Sequence, residues 1–176
     1  MSRGAYVGRF QPFHKGHLRA LKWILEREEE VVLVVGSAQY SHTRENPFTL
    51  GERLEMIWRV LKEEGILERV IPVGVPDTDK QHNLWVQVVL TMAPRFDRVY
   101  SNDPMTRRLF KERGFEVRSI PFFDRDVYCA TRIREKIARG EEWEELVPPA
   151  VAEVVKSVGG VERIRELYGR TGAPCT

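Results

Sequence analysis

The chain has 176 residues, with 28 lysines and arginines against 26 aspartates and glutamates, and a formal net charge of +2. This length suits one compact domain with a hydrophobic core, while the near balance of charge argues against nucleic acid or a membrane surface as a partner. Because the two cysteines are too far apart for a disulfide framework or a zinc site, and no signal peptide or membrane-spanning run is visible, we expect a cytoplasmic protein.

Short β-rich runs alternate with longer helical patterns along the chain. The runs predicted as strands are 5–7, 31–35, 70–75, 98–101 and 116–120. Continuously apolar runs are typical of strands that helices cover on both faces. The prediction is therefore an α/β fold: a Rossmann-like, doubly wound parallel sheet of five to six strands, with helices on both faces.

Helical periodicity and capping residues predict the remaining elements. The predicted helices include one through 18–25, one starting at the capping box of Thr49 and Glu52, one through 83–92, and three more at 131–139, 148–156 and 161–168. The last two form a small C-terminal helical extension. Residues 1–168 are expected to be a single domain and residues 169–176 a flexible tail. The long segment 36–48 is expected to be functional.

The stretch GRFQPFHKGH, residues 8–17, lies between the first predicted strand and the first predicted helix. Ligands of parallel α/β sheets collect at this junction, where the N–H groups of a helix start attract anions. Gly8 and Gly16 permit close backbone approach, while His14 and His17 can point to the same side and donate hydrogen bonds to phosphate oxygens. Such a histidine pair could instead hold a metal ion, but no third ligand is evident.

These residues resemble the signature of the HxGH nucleotidyltransferase superfamily. The similarity extends over nearly the whole chain, including GSAQ at 36–39, NPFT at 46–49, GER at 51–53, RD at 125–126, TRIR at 131–134 and GVERI at 160–164. Together they resemble the archaeal nicotinamide mononucleotide (NMN) adenylyltransferases. The resemblance implies adenylyl transfer from ATP to NMN, giving NAD and pyrophosphate by direct in-line attack of the NMN phosphate. It also implies Mg²⁺ carried by the ATP phosphates, without a protein metal site, and a homo-oligomer such as a hexamer.

The resemblance assigns residues to three roles. The expected catalytic residues are Arg9, His14, His17 and Arg134. The expected ATP-binding residues are Gly8, Arg9, Phe10, His14, Gly16, His17, Ser101, Thr131 and Arg134. The expected NMN-binding residues are Ser37, Gln39, Arg44, Asp77, Asn83 and Trp85.

Several positions leave room for other interpretations. Trp85 could stack on nicotinamide or simply pack in the core, because Trp85, Val88, Val89 and Met92 share one helical face. Thr131 is the expected N-cap of its helix, and Cys129 stands where the family motif has serine. The alternative functions are a sibling nucleotidyltransferase with another phosphate acceptor and a non-catalytic nucleotide sensor.

Overall fold

Five strands form one parallel sheet in the computed structural model, which describes residues 2–169. The strands are β1 (Arg3–Gly8), β2 (Glu30–Val35), β3 (Val70–Gly74), β4 (Arg98–Tyr100) and β5 (Glu116–Arg118). Their order across the sheet is β3-β2-β1-β4-β5, and every neighbouring pair is parallel. The predicted strands are thus confirmed, with ends that differ by up to two residues.

Seven α-helices accompany the sheet within the described residues. They are α1 (Lys15–Leu25), α2 (Leu50–Glu63), α3 (His82–Met92), α4 (Pro104–Glu112), α5 (Ala130–Arg139), α6 (Pro149–Ser157) and α7 (Gly160–Gly169). Helix α4 is the one that the sequence analysis did not predict. Helices α6 and α7 form the predicted C-terminal extension and pack against α2 and α5, respectively. Gly169 is helical, and the rest of the predicted tail lies outside the described residues.

Both faces of the sheet are covered because successive strand residues point to opposite sides. On one face Tyr6, Leu33 and Tyr100 join a core that includes residues of α1, α2, α5 and α6. On the other face Ala5 and Val34 join a second core with α3 and α4. The predicted doubly wound architecture is therefore confirmed.

The chain reverses its direction across the sheet at β1. Strands β2 and β3 lie on one side of β1, whereas β4 and β5 lie on the other. The segments that follow β1 and β4 must therefore diverge at the carboxyl edge of the sheet, which leaves a crevice there. This crevice positions the candidate site.

No helix among residues 2–169 is long and apolar enough to cross a membrane.

Candidate active site

The two histidines of the first loop cap helix α1 reciprocally. His14 is the N-cap residue, and its Nδ1 accepts a hydrogen bond from the backbone N–H of His17 at 3.3 Å. The Nδ1 of His17 accepts in turn from the backbone N–H of His14 at 3.1 Å. The two rings stack with their centroids 3.5 Å apart. This is a capping box built from imidazoles, in the place where serine and glutamate are more usual.

The reciprocal contacts determine the protonation of both rings. Because each Nδ1 accepts a hydrogen bond, the proton of each neutral ring is assigned to Nε2. Burial lowers the pKa of His14 to about 4, and burial together with the neighbouring His14 lowers the pKa of His17 well below its usual value. At neutral pH both rings are therefore uncharged, and each keeps one N–H donor for a ligand.

Gly8 and Gly16 are required by close contacts. A Cβ at Gly8 would lie 2.7 Å from the ring of Phe10. A Cβ at Gly16 would lie 2.8 Å from the Cβ of Tyr128 and 2.9 Å from Cε1 of His14. A side chain at either position would thus displace the loop or the first imidazole.

A cavity of about 430 Å³ opens beside the imidazole pair, and we call it the imidazole cavity. It lies between the start of α1, the end of β4 and the segment before α5. The residues that characterise its wall are Arg9, His14, Gly16, His17, Ser101, Asn102, Asp103, Phe122, Arg125 and Tyr128. Aromatic rings and N–H donors on one wall suit a ligand with a flat base and anionic groups.

A second cavity of about 450 Å³ lies next to it, and we call it the tryptophan cavity. Trp85 lines this cavity while its ring also makes a T-shaped contact with that of Phe110, with the ring centroids 5.6 Å apart. The side chain of Trp85 can therefore pack in the core and still contact a ligand in the cavity. The residues that characterise the wall are Gly8, Arg9, Gly36, Ser37, Asp77, His82, Trp85, Ser101, Asp103 and Met105.

The two cavities share a wall made by Val7, Arg9, Ser101 and Asp103. Arg9 is exposed and follows β1, whereas Ser101 is buried and follows β4. One cation therefore stands between two compartments, each of nucleotide size. The arrangement can hold two ligands whose anionic groups meet at Arg9.

Arg53 of α2 fixes the backbone behind this shared wall. Its side chain is fully buried, and Nη1 donates to the carbonyls of Arg9 at 2.8 Å and Gly36 at 2.7 Å. Nη2 donates to the carbonyl of Ser37 at 3.2 Å. Burial, followed by the charge of Arg9, lowers the pKa of Arg53 to about 10, so the group stays protonated at neutral pH. No feature of the sequence predicted a role for Arg53.

Three expected ATP-binding residues lie outside both cavity walls. Phe10 is buried in the core, with its ring 4.8 Å from that of His17. Arg134 is 4% exposed and donates from Nη1 to the carbonyl of Gln11 at 2.9 Å, while its Nε has no partner among the described residues. Thr131 accepts from Nη2 of Arg134 at 3.4 Å. Their contacts with ATP stay predictions.

The structure corrects one prediction about α5. Thr131 is not the N-cap: Cys129 occupies that position and makes no capping hydrogen bond with its side chain. The helix begins one residue earlier than predicted because Ala130 is already helical.

Half of the expected NMN-binding set lines the tryptophan cavity, namely Ser37, Asp77 and Trp85. Gln39 instead stabilises the backbone at Asp77, because its side-chain amide donates to the carbonyl of Asp77 and accepts from the N–H of the same residue, both at 2.8 Å. Arg44 lies over the ring of Tyr168 at 4.5 Å and lines a different cavity. Asn83 is exposed in the first turn of α3. The ligand contacts of these three residues stay predictions.

The residues that sequence reasoning missed include Asp103 and Tyr128. The side chain of Asp103 accepts from the backbone N–H of Thr106 at 2.8 Å and caps α4. Asp followed by Pro is a helix-start signal that could have found this element. No comparable sequence signal marks Tyr128, which reaches the cavity through the irregular segment before α5.

Comparison with known proteins places the chain among nucleotidyltransferases. The model of the cytidylyltransferase-like family matches residues 5–136. A nicotinamide-nucleotide adenylyltransferase of Ignicoccus hospitalis is 50% identical over 96% of this chain and 99% of its own length. One from Pyrococcus horikoshii is 47% identical over 95% and 89%, respectively.

A solved structure shares the fold at low identity. It is a bifunctional NMN adenylyltransferase/ADP ribose pyrophosphatase from Francisella tularensis, complexed with AMP and a manganese ion. The match has a TM-score of 0.77 and 22% identity over 97% of this chain. The chain spans about half of that longer protein, 52% of its length.

Proposed function

The chain belongs to the nicotinamide-nucleotide adenylyltransferases, within the cytidylyltransferase-like family, and we propose that it joins ATP and NMN to give NAD and pyrophosphate. The observation that carries the proposal is the pair of nucleotide-sized cavities that meet at Arg9. ATP would occupy the imidazole cavity and NMN the tryptophan cavity. The two phosphate groups would then meet at the shared wall.

The reaction needs no covalent intermediate. An ionised oxygen of the NMN phosphate attacks the α-phosphorus of ATP, the bond from that phosphorus to the β-phosphate oxygen breaks, and pyrophosphate leaves with the electron pair. Because the attacking oxygen is already ionised at neutral pH, no strong general base is required. Catalysis then consists of positioning and of stabilising charge on the phosphates.

The chain's own groups match this task. The Nε2–H groups of His14 and His17 would donate to phosphate oxygens as neutral donors, since their depressed pKa values keep them unprotonated on Nδ1. Arg9 would contact the phosphates of both ligands from the shared wall. Trp85 lines the second cavity, where its indole would stack on a pyridine ring.

We infer that Mg²⁺ accompanies the ATP phosphates. Residues 2–169 contain no cluster of three or more His, Cys, Asp or Glu side chains able to enclose a metal ion. A hard cation that keeps its waters and is held mainly by phosphates fits such a wall, where Asp103 is the carboxylate that would face its water shell. When bound, the ion would neutralise charge on the phosphate oxygens.

The direct test is turnover with a panel of acceptors. The purified chain, ATP and Mg²⁺ are mixed with NMN, nicotinic acid mononucleotide, phosphopantetheine or FMN, and pyrophosphate release and dinucleotide formation are measured. The proposal expects NAD and pyrophosphate in equal amounts with NMN. Product with phosphopantetheine or FMN alone would assign a different acceptor, and ATP binding without any turnover would indicate a nucleotide sensor.

A further inference from the structure

Arg53 is a buried cation whose hydrogen-bond partners within residues 2–169 are all backbone carbonyl groups. Besides the carbonyls of Arg9, Gly36 and Ser37, its Nε donates to that of Thr49 at 3.3 Å. Three of these four carbonyls belong to the segments that follow β1 and β2. One side chain on α2 thus ties together two loops that are far apart in sequence.

In both loops the backbone is strained next to the carbonyls that Arg53 contacts. Phe10, which follows Arg9, has a φ of 55°, and Ser37 has a φ of 48°. A non-glycine residue in this left-handed region is unfavourable and persists only where its surroundings hold it. The guanidinium supplies that support at both loops. In the first it donates to the carbonyl of Arg9, which precedes Phe10, and in the second to the carbonyls of Gly36 and Ser37.

The charge of Arg53 is uncompensated within residues 2–169. None of the described carboxylates forms an ion pair with it, and the charge that perturbs it is that of Arg9, which has the same sign. A buried charge without a countercharge is unfavourable, and a nearby anion relieves the cost. Three of the four residues whose carbonyls Arg53 contacts line the tryptophan cavity and, at Arg9, also the imidazole cavity, so phosphates bound at Arg9 would supply negative charge on the far side of that backbone.

We propose that Arg53 is a positioning residue that holds the loops after β1 and β2 in place and favours ligands in proportion to their negative charge. The inference rests on the proposed function for its effect on turnover, but its effect on nucleotide affinity does not depend on the identity of the acceptor. A merely structural arginine would support the fold without discriminating between ligands of different charge.

The test compares Arg53→Met and Arg53→Lys with a matched control, Arg69→Met. Arg69 donates to the carbonyls of Leu25, Glu28 and Glu29 at 2.7–2.9 Å, so it makes the same kind of contacts at the opposite end of the sheet. Dissociation constants for ATP, ADP and AMP are measured by calorimetry, kcat is measured with ATP and NMN, and thermal unfolding monitors stability.

For Arg53→Met we expect ATP affinity to fall about tenfold or more, AMP affinity to fall less, and ADP affinity to lie between them. We expect kcat to fall on the order of 100-fold because the loops lose the hydrogen bonds that hold them in position for the reaction. Arg53→Lys keeps the charge but carries its three donors on one nitrogen instead of a planar fork, so it cannot hold all four carbonyls at their present spacing and should retain the ratio of ATP to AMP affinity while losing kcat. Arg69→Met should change only the unfolding temperature.

An unchanged ratio of ATP to AMP affinity in Arg53→Met would overturn the proposal, and so would a kcat within about threefold of wild type. If Arg53→Met does not fold, Arg53→Lys decides, since a wild-type kcat in that variant would equally overturn it. A wild-type protein that binds ATP but forms no NAD would refute the proposed function, while the affinity ratios would still decide the role of Arg53.

Discussion

The paired histidines serve the backbone and the cavity at the same time. Each Nδ1 satisfies a helix N–H that would otherwise lack a partner, which leaves each Nε2–H for a ligand. A substitution therefore removes a cap and a phosphate donor together. The two contributions can be separated with a side chain that caps without reaching the cavity.

We predict that His14→Asn and His14→Ala lose kcat alike, by about 100-fold or more, because both lack the Nε2–H donor. Their stabilities should differ. Asparagine is a favourable N-cap, whereas alanine costs about 1 kcal/mol at this position. Steady-state kinetics and thermal unfolding of both variants provide the measurement. A kcat in His14→Asn close to that of wild type would show that His14 only caps the helix.

The depressed pKa values predict acid sensitivity. The pKa of His14 is about 4 in the folded chain against 6.5 for an unperturbed histidine, so the unfolded chain binds more protons between these values. The stabilising contribution is present above pH 6.5 and is lost as the pH falls towards 4, and the loss reaches about 3 kcal/mol near pH 4. Thermal unfolding from pH 7 to pH 4 should show this decline, and His14→Asn should flatten it. An equal slope in wild type and variant would contradict the assignment of neutral imidazoles.

Sequence reasoning found the histidines because their spacing and neighbouring glycines are local features. It did not find the role of Arg53, because a charged residue in a helix gives no sign of burial until the loops that it grips are placed. It also could not place Arg44, whose position depends on the path of residues 36–49, and the structure puts it over Tyr168.

Among the elements, α3 connects the second core to the tryptophan cavity. On the apolar face predicted from the sequence Val89 is buried but Met92 is 46% exposed, so only part of this face packs in the core. Trp85 lies at the border between core and cavity. Substitutions there must distinguish loss of packing from loss of a ligand contact.

We predict that Trp85→Ala raises the KM for NMN by about tenfold or more and the KM for ATP much less, since the indole lines only the second cavity. Phe96→Leu is the matched control. The ring of Phe96 also packs on Phe110, with the ring centroids 6.1 Å apart, but lines neither cavity. The control should lower the unfolding temperature without changing either KM. Equal rises in both constants for Trp85→Ala would favour core packing as its role.

Five strands and six of seven helices could be predicted from apolar periodicity and capping residues, because these signals lie within each segment. Helix α4 was not predicted because four of its nine residues are charged, so its apolar face is narrow and gives a weak periodic signal. The reciprocal imidazole cap also escaped, since it depends on the rotamers of two side chains rather than on a pattern.

At the scale of the whole molecule, the reversal of strand order at β1 explains why the site has two compartments. The segments after β1 and β4 line both cavities, whereas the segment after β2 lines only the tryptophan cavity. The predicted fold class, family and enzyme class are confirmed by this architecture and by the similarity to archaeal relatives. The homo-oligomer implied by the resemblance stays a prediction.

If one dinucleotide spans both cavities across Arg9, a crystal structure of the complex with NAD will show it. We predict the adenosine half beside His14 and His17, the nicotinamide ring against Trp85, and the bridging phosphates at the guanidinium of Arg9. Phosphates located away from both imidazoles and from Arg9, or the nicotinamide ring outside the tryptophan cavity, would contradict it.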